Sequence, residues 1–79
     1  MQSVTIYTTP TCGYCKAAKA FLNEHNITYT EKDVSADIHA RQEMISKSGQ
    51  MGVPLIEIDG QLVLGFDESE LRAALSIAN

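Results

Sequence analysis

The sequence predicts an α/β protein with elements in the order β-α-β-α-β-β-α and a mixed sheet. Three observations carry that expectation. Short runs of strand formers alternate in period two, as in Val4-Thr5-Ile6-Tyr7. Between them lie segments with apolar residues at helical spacing, such as Ala17, Ala18, Phe21 and Leu22. Near the end, Asp59-Gly60 separates two short apolar runs, a strong hairpin signal because a type I′ turn needs positive φ at both positions.

Strand one is Val4 to Tyr7, and Pro10 and Gly13 bracket the loop after it. Tyr14 to His25 are good helix formers, and Asn26 is a plausible stop. Ile27 to Asp33 alternates again and reads as strand two. Ser35 or Asp37 caps a second helix, which runs through Ile38, Ala40, Met44 and Ile45 to a C-terminal Gly49. Leu55 to Ile58 follows Pro54 as strand three, and Gln61 to Leu64 returns as strand four. Asp67 opens "DESE", a capping box with Glu70, and Leu71, Ala74, Leu75 and Ala78 form the stripe of the last helix. A helical connection between the first two strands makes them parallel through a right-handed crossover, and the closing hairpin adds two antiparallel strands.

At 79 residues the chain is expected to form one domain, 1–79, with no second core. The N-terminus has no basic region followed by an apolar run, and no apolar stretch approaches the roughly 20 residues that span a bilayer. A formal charge of −4 argues against a nucleic-acid partner, which needs clustered Lys and Arg. The expectation is a soluble, cytoplasmic chain.

The only two cysteines are Cys12 and Cys15, in "TTPTCGYCKAAKAF". A bridge between them closes too small a loop to remove much unfolded-state entropy, so a structural staple is a poor reason to keep them. Their placement is chemically pointed. Cys12 falls just before the first helix and Cys15 one turn inside it. A helix start offers unpaired N–H groups and partial positive charge, and both favour a thiolate. Only the outer sulfur has this benefit in full, which makes Cys12 the nucleophile and Cys15 the resolving thiol. Lys16 and Lys19 add positive potential nearby, although the plainer reading of each is a solvated charge on the helix face. Zinc needs two further ligands, and only His25 and His39 are available, far apart and on different predicted helices, so no metal is expected. An inert structural pair fits poorly with an exposed helix start.

A second signal is "MGVPLIEIDG", where Pro54 opens a strand rather than interrupting one. A cis Val53–Pro54 bond there would offer the Val53 carbonyl and N–H to an incoming peptide. A trans proline at a strand start is the alternative, and this stretch alone does not choose between them.

Taken together, "TIYTTPTCGYC", "YTEKDVS", "GVP" and "DG…LGFD" resemble the glutaredoxins, over nearly the whole chain. The resemblance implies a thioredoxin-like fold, with a four-stranded mixed sheet flanked by three helices. It implies a thiol–disulfide oxidoreductase that reduces protein disulfides and glutathionylated proteins, with glutathione as co-substrate, and a cis Pro54 facing Cys12. Tyr14, Val53, Pro54, Gly65 and Asp67 match positions that line the glutathione groove in that family.

Three positions depart from the common pattern. Gly13 replaces a Pro after the first Cys. Thr9 replaces a Lys that pairs with a glutathione carboxylate. Leu64-Gly65 replaces a Gly-Gly pair. The "GF" at 65–66 is similar to redoxins fed by thioredoxin reductase, so glutathione and thioredoxin reductase both stand as electron donors. Gly13 also keeps a binding role in view: some glutaredoxins with Gly there hold a [2Fe–2S] cluster between two subunits, and thiolates suit such clusters. The enzyme reading expects a colourless monomer, the cluster reading a brown dimer.

Overall fold

Val4, Ile6, Tyr7 and Thr8 are all buried, so strand β1 (Val4–Thr8) is covered on both faces and lies inside the sheet. The computed structural model of the protein describes residues 3–76. After β1 come α1 (Gly13–Glu24), β2 (Thr30–Asp33), α2 (Ile38–Ser48), β3 (Leu55–Ile58), β4 (Gln61–Leu64) and α3 (Glu68–Leu75). The strands form a four-stranded sheet in the order β2-β1-β3-β4. β1 runs parallel to β2, with Ile6 opposite Glu31, and antiparallel to β3, with Ile6 opposite Ile56. β3 and β4 pair antiparallel, with Leu55 opposite Leu64. This is the expected order and a mixed sheet.

Strand alternation sorts the core into two clusters. Val4, Ile6, Ile56, Ile58 and Val63 pack with Ala18, Phe21 and Leu22 of α1 and with Leu71 and Leu75 of α3. Tyr7 and Leu55 pack instead with Val34 and with Ala40 and Met44 of α2. The helices therefore cover both faces of the sheet. Each large apolar side chain buried in this way contributes roughly 1.5–3 kcal/mol.

The ends of the elements follow local chemistry. Asn26 adopts φ 57°, and the N–H groups of Asn26 and Ile27 donate to the carbonyls of Asn23 and Leu22 at 3.1 and 2.9 Å. That is a Schellman closure of α1 with Asn in the left-handed position. It also explains a difference from expectation. Ile27 belongs to this closure and packs back on the core, so β2 begins only at Thr30 rather than Ile27. Helix α2 is capped by Asp37, whose carboxylate accepts from the N–H groups of His39 and Ala40 at 3.0 and 3.1 Å, and it ends on Gly49 at φ 73°. Ser35, the other candidate cap, is held instead by Asp33 in a local turn. Asp59 and Gly60 have φ of 49° and 89°, as a type I′ turn requires. Asp67 caps α3, accepting from Glu70 N–H at 3.2 Å, and Leu71 and Leu75 form its buried stripe. Ala78, expected to extend that stripe, lies outside the described residues.

Candidate active site

Cys12 is the N-cap of α1, in extended backbone at φ −86° and ψ 115°. A cap residue in this conformation turns its side chain back toward the free N–H groups of the first turn. Here the acceptor is sulfur: the Cys15 N–H donates to Cys12 Sγ at 3.1 Å. The Cys12 N–H is held by the Thr9 carbonyl at 3.3 Å, and the Cys12 carbonyl accepts from Lys16 N–H at 3.3 Å, so both of its backbone groups are occupied.

The two sulfurs have different surroundings. Cys12 is half-buried, whereas Cys15 is 1% exposed. Burial, followed by its hydrogen bond to Cys12, pushes the Cys15 thiol up to about 11; contact with the Thr9 backbone and the positive charge of Lys19 act in the opposite direction. Cys15 is therefore a protonated thiol stored behind the more accessible Cys12.

Across the opening, the Cys12 thiol points at the Val53 carbonyl, 3.9 Å away and at the long end for a sulfur donor. The Val53–Pro54 bond is cis. The approach to it is braced by Gln50, whose side chain accepts from Gly52 N–H and donates to Gly52 O at 3.2 Å, while Ser48 Oγ donates to the carbonyls of Met44 and Gln50. Pro54 itself is buried, and its carbonyl accepts from Gly65 N–H at 2.8 Å, which joins the end of β4 to the same wall. Gly65 sits at φ 73°, where a side chain is strained although the space is open.

The structure thus brings Cys12, Cys15, Val53, Pro54 and Gly65 together through direct or adjoining contacts. Tyr14 lies beside them on the first turn of α1 with 70% of its surface exposed. Asp67 is exposed at the start of α3, where its carboxylate accepts from Glu70 N–H. Of the lysines read as solvated charges, Lys16 is exposed, but Lys19 is not free: its Nζ pairs with Glu31 Oε2 at 2.9 Å. Sequence reading missed Glu31 and Thr8, whose hydroxyl donates to the same oxygen at 2.9 Å. The one available signal was Lys19 standing four residues after Cys15, on the same helix face. His25 packs against Phe21 with ring centroids 4.5 Å apart and planes tilted by 53°, and His39 is exposed on α2. Among the described residues no three His, Cys, Asp or Glu side chains converge as metal ligands.

A paired helix-start dithiol on a thioredoxin-like sheet defines a thiol–disulfide oxidoreductase. The family model described as Glutaredoxin matches residues 4–63, and the chain belongs to the glutaredoxin family. It is similar to an uncharacterised glutaredoxin-like 8.6 kDa protein from the rubredoxin operon of Clostridium pasteurianum, 44% identical over 68 residues, covering 86% of this chain and 91% of that one. Glutaredoxin 3 of Escherichia coli K12 is 41% identical over 68 residues, covering 86% and 82%. Among solved structures, the T8A mutant of the thioredoxin-like protein BC3987 superposes with a TM-score of 0.92 at 33% identity, covering 99% of this chain and 100% of that one.

Proposed function

We propose that the protein reduces protein disulfides and glutathione mixed disulfides, with Cys12 as nucleophile and Cys15 as resolving thiol. The observation that carries this reading is the asymmetry of the pair. Cys12 is accessible and receives a helix-start N–H, whereas Cys15 is buried one turn behind it. Cys12 as thiolate attacks one sulfur of the substrate disulfide, forms a mixed disulfide and releases the first substrate thiolate. Cys15 as thiolate then attacks Cys12 Sγ, closes the Cys12–Cys15 bond and releases the second. Two electrons pass to the substrate, and the two thiol protons pass to the released thiolates, directly or through solvent. Two glutathione molecules, or one dithiol of a reductase, restore the pair. Val53, Pro54, Gly65, Tyr14 and Asp67 form the substrate groove in this reading, with the Val53 carbonyl and N–H as backbone partners for a bound peptide or glutathione.

A second reading concerns the electron donor alone. Thr9 supplies no cation for a glutathione carboxylate, Lys19, Lys32, Lys47 and Arg72 are each paired with a glutamate, and Arg41 Nε donates to the Val34 carbonyl, which leaves the exposed Lys16 as the cation nearest the cysteines. That arrangement favours thioredoxin reductase, or a related protein dithiol, over glutathione as the efficient donor. An NADPH-coupled assay with each source in turn tests both readings. Turnover with glutathione and its reductase, weak but measurable, supports glutathione as co-substrate. Turnover with thioredoxin reductase alone assigns the protein to the glutathione-independent redoxins, and turnover with neither overturns the oxidoreductase assignment.

A further inference from the structure

Lys19, Glu31 and Thr8 come from three different elements and meet at one oxygen. Glu31 Oε2 on β2 accepts from Lys19 Nζ of α1 at 2.9 Å and from Thr8 Oγ1 of β1 at 2.9 Å. Thr8 is 2% exposed, so the inner end of the cluster is shielded from water. Lys19 stands one helical turn beyond Cys15 on the same face of α1, and Thr8 ends the strand that leads into the cysteine loop. The charge of the cluster is therefore carried one helical turn from the buried thiol, close enough for Lys19 to act on Cys15. A tie between helix and sheet is the cluster's simplest use, but a half-exposed ion pair contributes little to that.

We propose that Lys19, held in place by Glu31 and Thr8, is a positioning residue for the closing step, in which Cys15 attacks Cys12; this rests on the dithiol reading above. Cys15 is 1% exposed, so little water solvates its sulfur, and it must ionise before it can attack. A fixed ammonium one turn away favours the thiolate over the thiol at that moment. The direction agrees with the electrostatics, in which Lys19 opposes the upward push of burial on Cys15 and the Cys15 thiolate in turn favours the charged Lys19. The other groups acting around the cluster are Tyr29, which acts on Lys19, and Asp33, which acts on Glu31. In the closing step the Cys15 sulfur bonds to Cys12 Sγ, the mixed disulfide breaks, and the Cys15 proton goes to the departing thiolate or, where that is a weak base, to solvent. Glu31 sets the strength of the effect, because its negative charge offsets part of the lysine's.

This gives a test in which a structural role and an electrostatic role point different ways. Reduced protein is mixed with the aromatic disulfide dithiobis(nitrobenzoate), and the coloured thiolate is followed by stopped flow across pH. The first release reports attack by Cys12, and the second reports closure by Cys15. Lys19→Gln slows the second release about three- to tenfold at neutral pH and moves its profile to higher pH. Glu31→Gln, whose amide oxygen still accepts from Lys19 and Thr8 but which removes the negative charge that offsets the lysine, speeds the second release and moves the profile to lower pH. Lys19→Arg stays within about twofold of the parent chain. The first release changes little in all three. If Lys19 and Glu31 only tie helix to sheet, both neutral variants lower the melting temperature and neither moves the second release, or both slow it alike; either result overturns the proposal. Absence of a first release in the parent chain overturns the dithiol reading, and the proposal with it.

Discussion

The backbone N–H of Cys15 donates to the sulfur of Cys12 at 3.1 Å, so the buried cysteine helps to hold the exposed one at the helix start. A single turn of α1 thereby gives two chemically similar residues different tasks. The bond uses the backbone of Cys15, not its thiol, and survives substitution of the Cys15 side chain.

Cys12→Ser therefore abolishes reduction of every disulfide substrate. Cys15→Ser keeps the attacking sulfur and its N–H donor. It retains turnover of a small glutathione mixed disulfide, which needs one cysteine and a second glutathione, and loses reduction of protein disulfides, which needs closure. Parallel assays of the two variants on a glutathionylated peptide and on an intact protein disulfide check this.

Thr9→Lys places a cation on the strand side of the cysteine loop, opposite Lys16 at the start of α1. The Thr9 carbonyl continues to hold the Cys12 N–H, since the backbone is unchanged. A well-formed charge-assisted hydrogen bond contributes about 1.5–3 kcal/mol. The KM for a glutathionylated substrate is expected to fall by at least about tenfold, with kcat little altered. Steady-state kinetics of the two chains check it, and an unchanged KM argues for a protein donor.

Stability falls at alkaline pH. Burial, then the hydrogen bond to Glu43, raises the Tyr7 phenol to about 12, and burial raises Cys15 to about 11. In the unfolded chain these groups ionise near 10 and 8.5. From about pH 8.5 upward the unfolded chain holds fewer protons than the folded one, so the contribution present below that pH is lost as pH rises through 11 and 12. Tyr7→Phe removes the upper part of this loss and Cys15→Ser the lower part. At the acid end, Lys19 and Lys32 hold Glu31 and Glu43 below their ordinary values. That stability is present above about pH 4.3 and is lost as pH falls through the folded values, by less than about 1 kcal/mol per half-exposed pair. Thermal melts across pH measure both limbs.

The two candidate caps of α2 separate cleanly. Asp37→Ala removes the acceptor for two N–H groups and costs about 1 kcal/mol. Ser35→Ala breaks only a local turn with Asp33 and costs less, which urea titration of both variants resolves.

What could be read from the sequence was local. Asp59-Gly60, Gly49, Asp67 and the Cys12 helix start each follow from a side chain acting on its own backbone within a turn or two, and each stands in the structure as expected. Ile27 and Tyr29 misled the start of β2, because their alternation is that of a strand while Ile27 closes the end of α1 and both pack against the core ahead of the first strand pairing at Thr30. Of the Lys19–Glu31–Thr8 cluster only Lys19 could be singled out, by its helical spacing from Cys15. Its members lie on α1, β2 and β1, and only the parallel pairing that sets Ile6 opposite Glu31 brings them together.

The division of labour between the cysteines is tested most directly by limited alkylation of the reduced, folded protein with iodoacetamide at neutral pH, followed by peptide mapping. The account predicts label on Cys12 alone at early times, with Cys15 modified only after unfolding. Equal labelling of the two, or Cys15 labelled first, would contradict it.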